Sequence, residues 1–243
     1  MEIRYTEFTH QGTRNENQDR LLCINRDENG SSCALFAVVD GMGGLSDGAE
    51  TAQEVNNSLK MAYTDIMDSP NRLKELQNVL QRANVRINES KQSRRGATCS
   101  ALWLEKDRYF IAHAGDTRIF SINSNKTGLL TEDQNIAFTM YSMGRKTYEE
   151  YLSGGGHNRL LSFVGIGKNM KLLGFEGRTA QGDIFLLCSD GLNQFLQLKN
   201  VEKLGREALQ QNDPYQYILQ HLKETVLPDR SEDNVSWICL QIT

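Results

Sequence analysis

Five aspartates stand where strand-like runs begin or end. The run FAVV (36–39) stops at Asp40 and IFLLCS (184–189) stops at Asp190, and each acid is followed at once by glycine. Asp19 precedes the β-forming run 20–25, Asp233 shortly precedes VSWICLQI (235–242), and Asp116 lies with Gly115 between IAHA and TRIFSI. In an antiparallel sheet the start of one strand lies beside the end of its neighbour. These acids can therefore converge on one edge. Gathered carboxylates repel one another and are costly to desolvate, and the sequence places little cationic charge beside them; a divalent cation would neutralise them. An all-oxygen donor set suits Mg²⁺ or Mn²⁺, whereas zinc recruits Cys or His. A single Asp-Gly is ordinary turn chemistry. Two strands that end in Asp-Gly, with a third acid opening a strand, form a more specific pattern. Gly41, Gly43 and Gly44 follow Asp40. Without side chains the backbone there can approach a metal or phosphate closely and offer a carbonyl as ligand.

The elements that must position these acids are legible as changes of period. Segments 2–10, 20–25 and 33–39 are rich in β-formers. From Ser46, the residues Ala49, Ala52, Val55, Leu59, Ala62 and Ile66 step by three and four, one face of a helix. Ser69-Pro70 predicts the start of a second helix, with Ser as cap and Pro in the first turn, and Leu73, Leu76, Leu80, Ala83 and Ile87 as its buried stripe. Strands return over 97–123, with Gly115-Asp116 reading as a tight hairpin. Thr131 and Gln134 have capping-box spacing. Residues 140–168 read as irregular, a length that in a compact domain usually signals function or mobility. Strands near 171–176 and 184–189, helices near 199–210 and 214–226, and a last strand at 235–242 complete the chain. Strands clustered before and after helices predict antiparallel sheets with helices packed outside.

Composition narrows the function. The chain has 243 residues, three prolines and no linker-like block, which predicts one domain. A net charge of −4 argues against a general nucleic-acid binder. The start MEIRYTEFTHQG has no apolar secretory region and no run is long enough to span a membrane, so the expectation is a cytoplasmic protein without membrane partners. Five cysteines with no CxxC spacing read as reduced core thiols. The four histidines show no metal-ligand spacing; His113 reads as a packed strand residue and His157 as loop polarity. Lys91, Arg94 and Arg95 read as solvated surface, and Trp103 and Trp237 as core.

RNENQD (14–19), VVDGMGG (38–44), GATCSALW (96–103), AHAGDTRIF (112–120), LLCSDGL (186–192) and SEDNVSWICL (231–240) occur in this order. That succession resembles the type 2C metal-dependent protein phosphatases, the PPM family, and the Met in DGMGG resembles its bacterial branch. The resemblance spans Gly12 to Leu240. It implies an α-β-β-α sandwich of two antiparallel sheets flanked by helices, a single domain over 1–243, and a flap-like segment at about 131–168. It also implies two Mn²⁺ or Mg²⁺ ions, with a third in some members, and hydrolysis of phosphoserine or phosphothreonine esters by a water that the two metals activate. By position, Asp40 resembles the bridging ligand and Gly41 the residue offering its carbonyl. Asp190 and Asp233 resemble the ligands of the other metal, and Asp116, with Asp190, resembles those of the third and weaker one. Asp19 resembles the acid that holds metal-bound water, and Arg14 the arginine that holds the substrate phosphate. The implied partners are phosphorylated proteins, with a Ser/Thr kinase and its targets among them.

Three positions depart from the family pattern. Gln18 stands where many members have Glu, Met42 where some have a histidine proposed as general acid, and Gln194 where Asp is common. None is a proposed direct ligand. Two other classes are compatible with parts of the sequence. GMGG at a helix start could serve as a nucleotide-phosphate loop, but the chain lacks both GxxxxGK[ST] and the full GxGxxG spacing. A catalytically silent signalling or binding module on the same scaffold is the second; retention of Asp40, Asp190 and Asp233 argues against it.

Overall fold

A computed structural model describes residues 1–28, 31–42, 47–90, 95–125, 127–226 and 230–243. Gly43, Gly44, Ser46, Lys91, Arg94 and the side chain of Gln194, all singled out in the sequence, lie outside the described residues.

In chain order the elements are β1 (Ile3–His10), β2 (Asp19–Glu28), β3 (Ser31–Met42), α1 (Asp47–Met61), α2 (Tyr63–Asp68), α3 (Arg72–Glu89), β4 (Gly96–Glu105), β5 (Arg108–Ala114), β6 (Arg118–Ile122) and β7 (Thr127–Leu129). There follow α4 (Ile136–Ser142), α5 (Tyr148–Ser153), β8 (Leu173–Arg178), β9 (Ile184–Cys188), α6 (Leu198–Ala208), α7 (Pro214–Thr225) and β10 (Val235–Ile242). One sheet has the order β1-β10-β9-β6-β7 and the other β2-β3-β4-β5-β8, with antiparallel pairing throughout.

The two sheets bury one face against each other, through Phe36, Val38, Leu102, Ile119, Phe185 and Ile238 among others. The opposite face of β3 and β4 lies under α1, α2 and α3, and that of β9 and β10 under α6 and α7. This is the α-β-β-α sandwich that the motifs imply. It also explains why β3 reads as an unbroken apolar run: both its faces are covered, so nothing selects for alternation, and Leu35 to Val39 are fully buried.

Several local expectations are corrected. The stripe from Ala49 to Ile66 is two helices, α1 and α2, broken at Ala62. The third helix is capped by Asn71, whose side chain accepts from the Lys74 amide at 2.9 Å, rather than by Ser69. Pro70 disfavours helical backbone at the residue before it, and Ser69 is extended (φ −66°, ψ 136°), closing α2 instead. Gly115-Asp116 is not a hairpin, because β5 and β6 belong to different sheets. The dipeptide signals a sharp turn, and here the turn carries the chain across the sandwich. Thr131 and Gln134 form no capping box. Thr131 Oγ1 accepts from the Ile119 amide and Gln134 Oε1 from that of Gly115, while Asn135 caps α4. The capping box lies at Thr147 and Glu150, opening α5. Residues 140–168 are thus partly helical. The rings of Phe138, Tyr141, Tyr148 and Tyr151 pack against one another and onto the core beneath α6 and α7.

Candidate active site

Strand register builds one half of the site. Asp19 stands directly opposite Asp40 across β2 and β3, and Asp40 is opposite Thr98 of β4 on its other side. Asp116 sits in the crossing between the sheets, where Gly115 adopts φ +114° and an added Cβ would lie 2.3 Å from Thr98 Cβ. The other sheet supplies the second half. β9 and β10 are neighbours, so Asp190 just after one and Asp233 just before the other end together. Arg14, Asp40, Gly41, Asp116, Asp190 and Asp233 all line one cavity of about 470 Å³ at this end of the sandwich. Asp19 is placed behind that lining, where its Oδ2 accepts from Ser189 Oγ at 2.8 Å.

Burial and mutual repulsion shift these acids upward. Burial is the main cause for Asp40, followed by Asp19, Asp190, Asp116 and Asp233, and its carboxyl is held well above the ordinary range. Asp116 is raised by burial, Asp190 and Asp133, against an opposing pull from Arg118. Asp190 is pushed up to about 6 by burial and Asp233, with Arg118 again opposing. Asp19 rises to about 7 through burial, despite bonds from Ser236 and Ser189. Among the described residues none of these four makes an ion pair, and Asp233 alone of the set has one, from Arg14 Nη2 at 2.9 Å.

The donor chemistry fits a hard divalent cation. The lining acids supply only oxygen, and Asp19 Oδ1 is buried with no hydrogen-bond partner among the described residues. Among the described residues no three acid, His or Cys side chains already stand at ligand spacing around one point. Repulsion among the carboxylates acts against closer approach, and a cation turns it into attraction.

Gly41 has a packing reason as well as a place in the cavity wall. A Cβ there would meet the Gly48 carbonyl oxygen of α1 at 2.2 Å. The first turn of α1 therefore seats against the end of β3 only over glycine. Gln18 and Met42 line the same cavity. His113 is fully buried between Ser100 Oγ and the Glu132 carbonyl, as its strand position predicts. His157 is half-buried, and its Nε2 donates to the Tyr151 carbonyl at 2.7 Å, rather than lying free in a loop. Arg95 is buried rather than solvated, facing Glu50 and Glu54. All five cysteines are free thiols, and Trp103 and Trp237 are core residues.

Two contributors escaped the sequence reading. Asn234 fastens the loop that carries Arg14: its Nδ2 donates to the carbonyls of Gln11 (2.8 Å) and Glu16 (3.0 Å), and its Oδ1 accepts from the Gln18 amide (2.9 Å). Arg118 forms a buried two-bond pair with Asp133, at 2.9 and 2.6 Å, and Tyr151 Oη donates to the same carboxylate at 2.9 Å. Burial alone would raise the Asp133 carboxyl, but the Arg118 charge with bonds from Arg118 and Tyr151 carries it below the usual range. Asn beside the ligand-like Asp233, and Arg two residues after Asp116, were the available signals.

The family profile described as protein phosphatase 2C matches residues 8–227. The serine/threonine phosphatase Stp of Listeria welshimeri is 25% identical over 199 residues, covering 77% of this chain and 79% of the relative. The serine/threonine protein phosphatase PstP of Mycobacterium tuberculosis is 29% identical over 200 residues, covering 79% of this chain and 36% of its own longer one. A PstP catalytic domain in complex with two manganese ions superposes with a TM-score of 0.78 at 23% identity, covering 99% of each chain.

Proposed function

The chain belongs to the protein phosphatase 2C family, and from that premise we propose that it is a metal-dependent protein serine/threonine phosphatase with its reaction centre in the carboxylate cavity. One observation supports this most: acids from residues 40, 116, 190 and 233, distant in sequence, line a single cavity with Arg14 at its wall.

The cofactor is Mn²⁺ or Mg²⁺, two ions with a third in weaker association; when bound, such ions polarise a phosphoryl group and make water acidic enough to attack it near neutral pH. Asp40, between the acids of both sheets, would be a ligand of these ions, with the Gly41 carbonyl beside it as a further donor. Asp190 and Asp233 would supply oxygens from the other sheet, and Asp116 with Asp190 would hold the weaker third ion. Asp19, tied to Ser189, orients water from behind the lining. Arg14 binds the substrate phosphate, because a planar guanidinium donates two parallel hydrogen bonds to it. Its ion pair with Asp233 keeps it at the edge of the cage. Thiol chemistry has no part: Cys99 and Cys188 are buried, and burial pushes both thiols up to about 12.

Residues 1–243 act as one domain, with 131–168 as the flap that shapes access. Substrates are phosphorylated proteins, with a Ser/Thr kinase and its targets the partners that fit this chemistry. Among the described residues no helix is long and apolar enough to cross a membrane, and free thiols fit a cytoplasmic setting. Incubation with Mn²⁺ and p-nitrophenyl phosphate tests the reading. Turnover is expected, with loss in EDTA and in Asp190→Asn. Equal, negligible turnover in all three would favour a silent module on this scaffold.

A further inference from the structure

A second cavity, of about 350 Å³, adjoins the first. Arg14, Asn158, Asp190 and Asp233 line both, so the two adjoin at Arg14. Its far walls come from Leu152 of α5, from His157, and from Gln197 and Leu198 where α6 begins. A volume of this size accommodates a small organic group or a peptide residue, near the lower end of ligand pockets at about 300–1,000 Å³.

The lining tells which chemistry it suits. Its two cations are already matched, Arg14 by Asp233 and Arg118 by Asp133. Asp190 and Glu232 also stand in the wall, so a second anion is disfavoured. Leu152 and Leu198 add apolar surface. Asn158 and Gln197 are exposed, and neither side chain has a hydrogen-bond partner among the described residues. Each amide offers both donors and an acceptor, the complement of a peptide group. The His157 ring is held in the wall by its bond to Tyr151.

Resting on the phosphatase reading, we propose that this second cavity is a specificity subsite for the peptide segment adjoining the phosphorylated residue. Asn158 and Gln197 take its main-chain groups, and Leu152 and Leu198 take a small neutral side chain. A phosphomonoester without flanking peptide uses only the first cavity. The substrate that fits both is therefore an extended chain.

The test compares a short phosphothreonine peptide, carrying alanine beside the phosphoresidue, with p-nitrophenyl phosphate, both in Mn²⁺. In Gln197→Ala, whose side chain lines only the second cavity, the ratio of kcat/KM on peptide to kcat/KM on the small ester should fall about fivefold, through KM. A hydrogen bond of about 1 kcal/mol corresponds to that loss. Gln197→Trp, which fills the cavity instead of emptying it, should lower the ratio in the same direction. Replacing the peptide's neighbouring alanine by aspartate should lower kcat/KM for the unsubstituted enzyme. A ratio within about twofold of the unsubstituted enzyme's in both variants, or parallel loss on both substrates, would overturn the subsite. Failure of the unsubstituted enzyme to hydrolyse the small ester at all would instead sink the phosphatase reading beneath it.

Discussion

Asp40 is a half-buried acid whose charge is compensated by no ion pair among the described residues, and this makes the stability of the metal-free protein pH-dependent in an unusual sense. An ordinary Asp titrates near 3.9 when unfolded, whereas Asp19 and Asp190 are pushed up to about 7 and about 6 in the fold, with Asp40 and Asp116 also raised. A raised folded-state pKa means that the fold favours the protonated form. The stability these groups contribute is complete below about pH 4 and is lost as pH rises through 6 to 7. In EDTA the urea midpoint attributable to them should therefore fall between pH 5 and pH 8. Mn²⁺, which competes with protons for the same oxygens, should raise the midpoint more at pH 8 than at pH 5. Equal Mn²⁺ shifts at both pH values would contradict the raised carboxyls. Asn234 makes a separate prediction. Asn234→Ala removes three bonds to the loop 11–18, at a cost of about 1–3 kcal/mol in urea unfolding. It should raise KM for p-nitrophenyl phosphate more than it lowers kcat, since the side-chain bonds removed hold the Arg14 loop, while the main-chain bond from Asn234 to Asp233 Oδ1 at 2.9 Å is kept.

At the scale of elements, the segment between β7 and β8 is tied down rather than loose. Arg118 of β6 reaches Asp133, Asp133 accepts from Tyr151 of α5, and Tyr151 holds His157 through its carbonyl. At the other root, Asn84 of α3 accepts from the amides of Gly165 and Gly167 and donates to the Gly167 carbonyl. Asp133→Asn keeps the shape but leaves the Arg118 charge buried without its counter-ion. A loss on the order of 3–5 kcal/mol is expected, read as a lower urea midpoint, together with faster hydrogen exchange in α5. Elements of this kind were only partly legible. β3, β9 and β10 announced themselves as apolar runs because both faces are covered. Caps and crossings did not, because Ser69, Thr131 and Gly115 carry the right local chemistry, and the partner that decides its use is remote. The Arg118–Asp133 pair was illegible for the same reason: 15 residues separate its members, and no local period links them. The aspartates were legible because each stands at or within two residues of a strand end, whatever that strand's partner; β3 itself runs on past Asp40 to Met42.

Across the whole molecule, the acids ride on facing sheets. Asp19 and Asp40 belong to one, Asp190 and Asp233 flank strands of the other, and Asp116 lies in the crossing between them. Phe36 and Phe185 fill the layer between the sheets, so the volume of that layer sets how far apart the two sets of oxygens stand. Phe185→Leu, a change within the hydrophobic interior, should weaken Mn²⁺ binding measured by calorimetry as well as lower Tm. An unchanged Kd would show that the strand ends adjust independently of the core. An ion gripped from both sides would also act as a rivet between the two sheets. Chelation should then loosen the two halves relative to one another, and the tightness of metal binding becomes a gauge of how closely the two layers are pressed together.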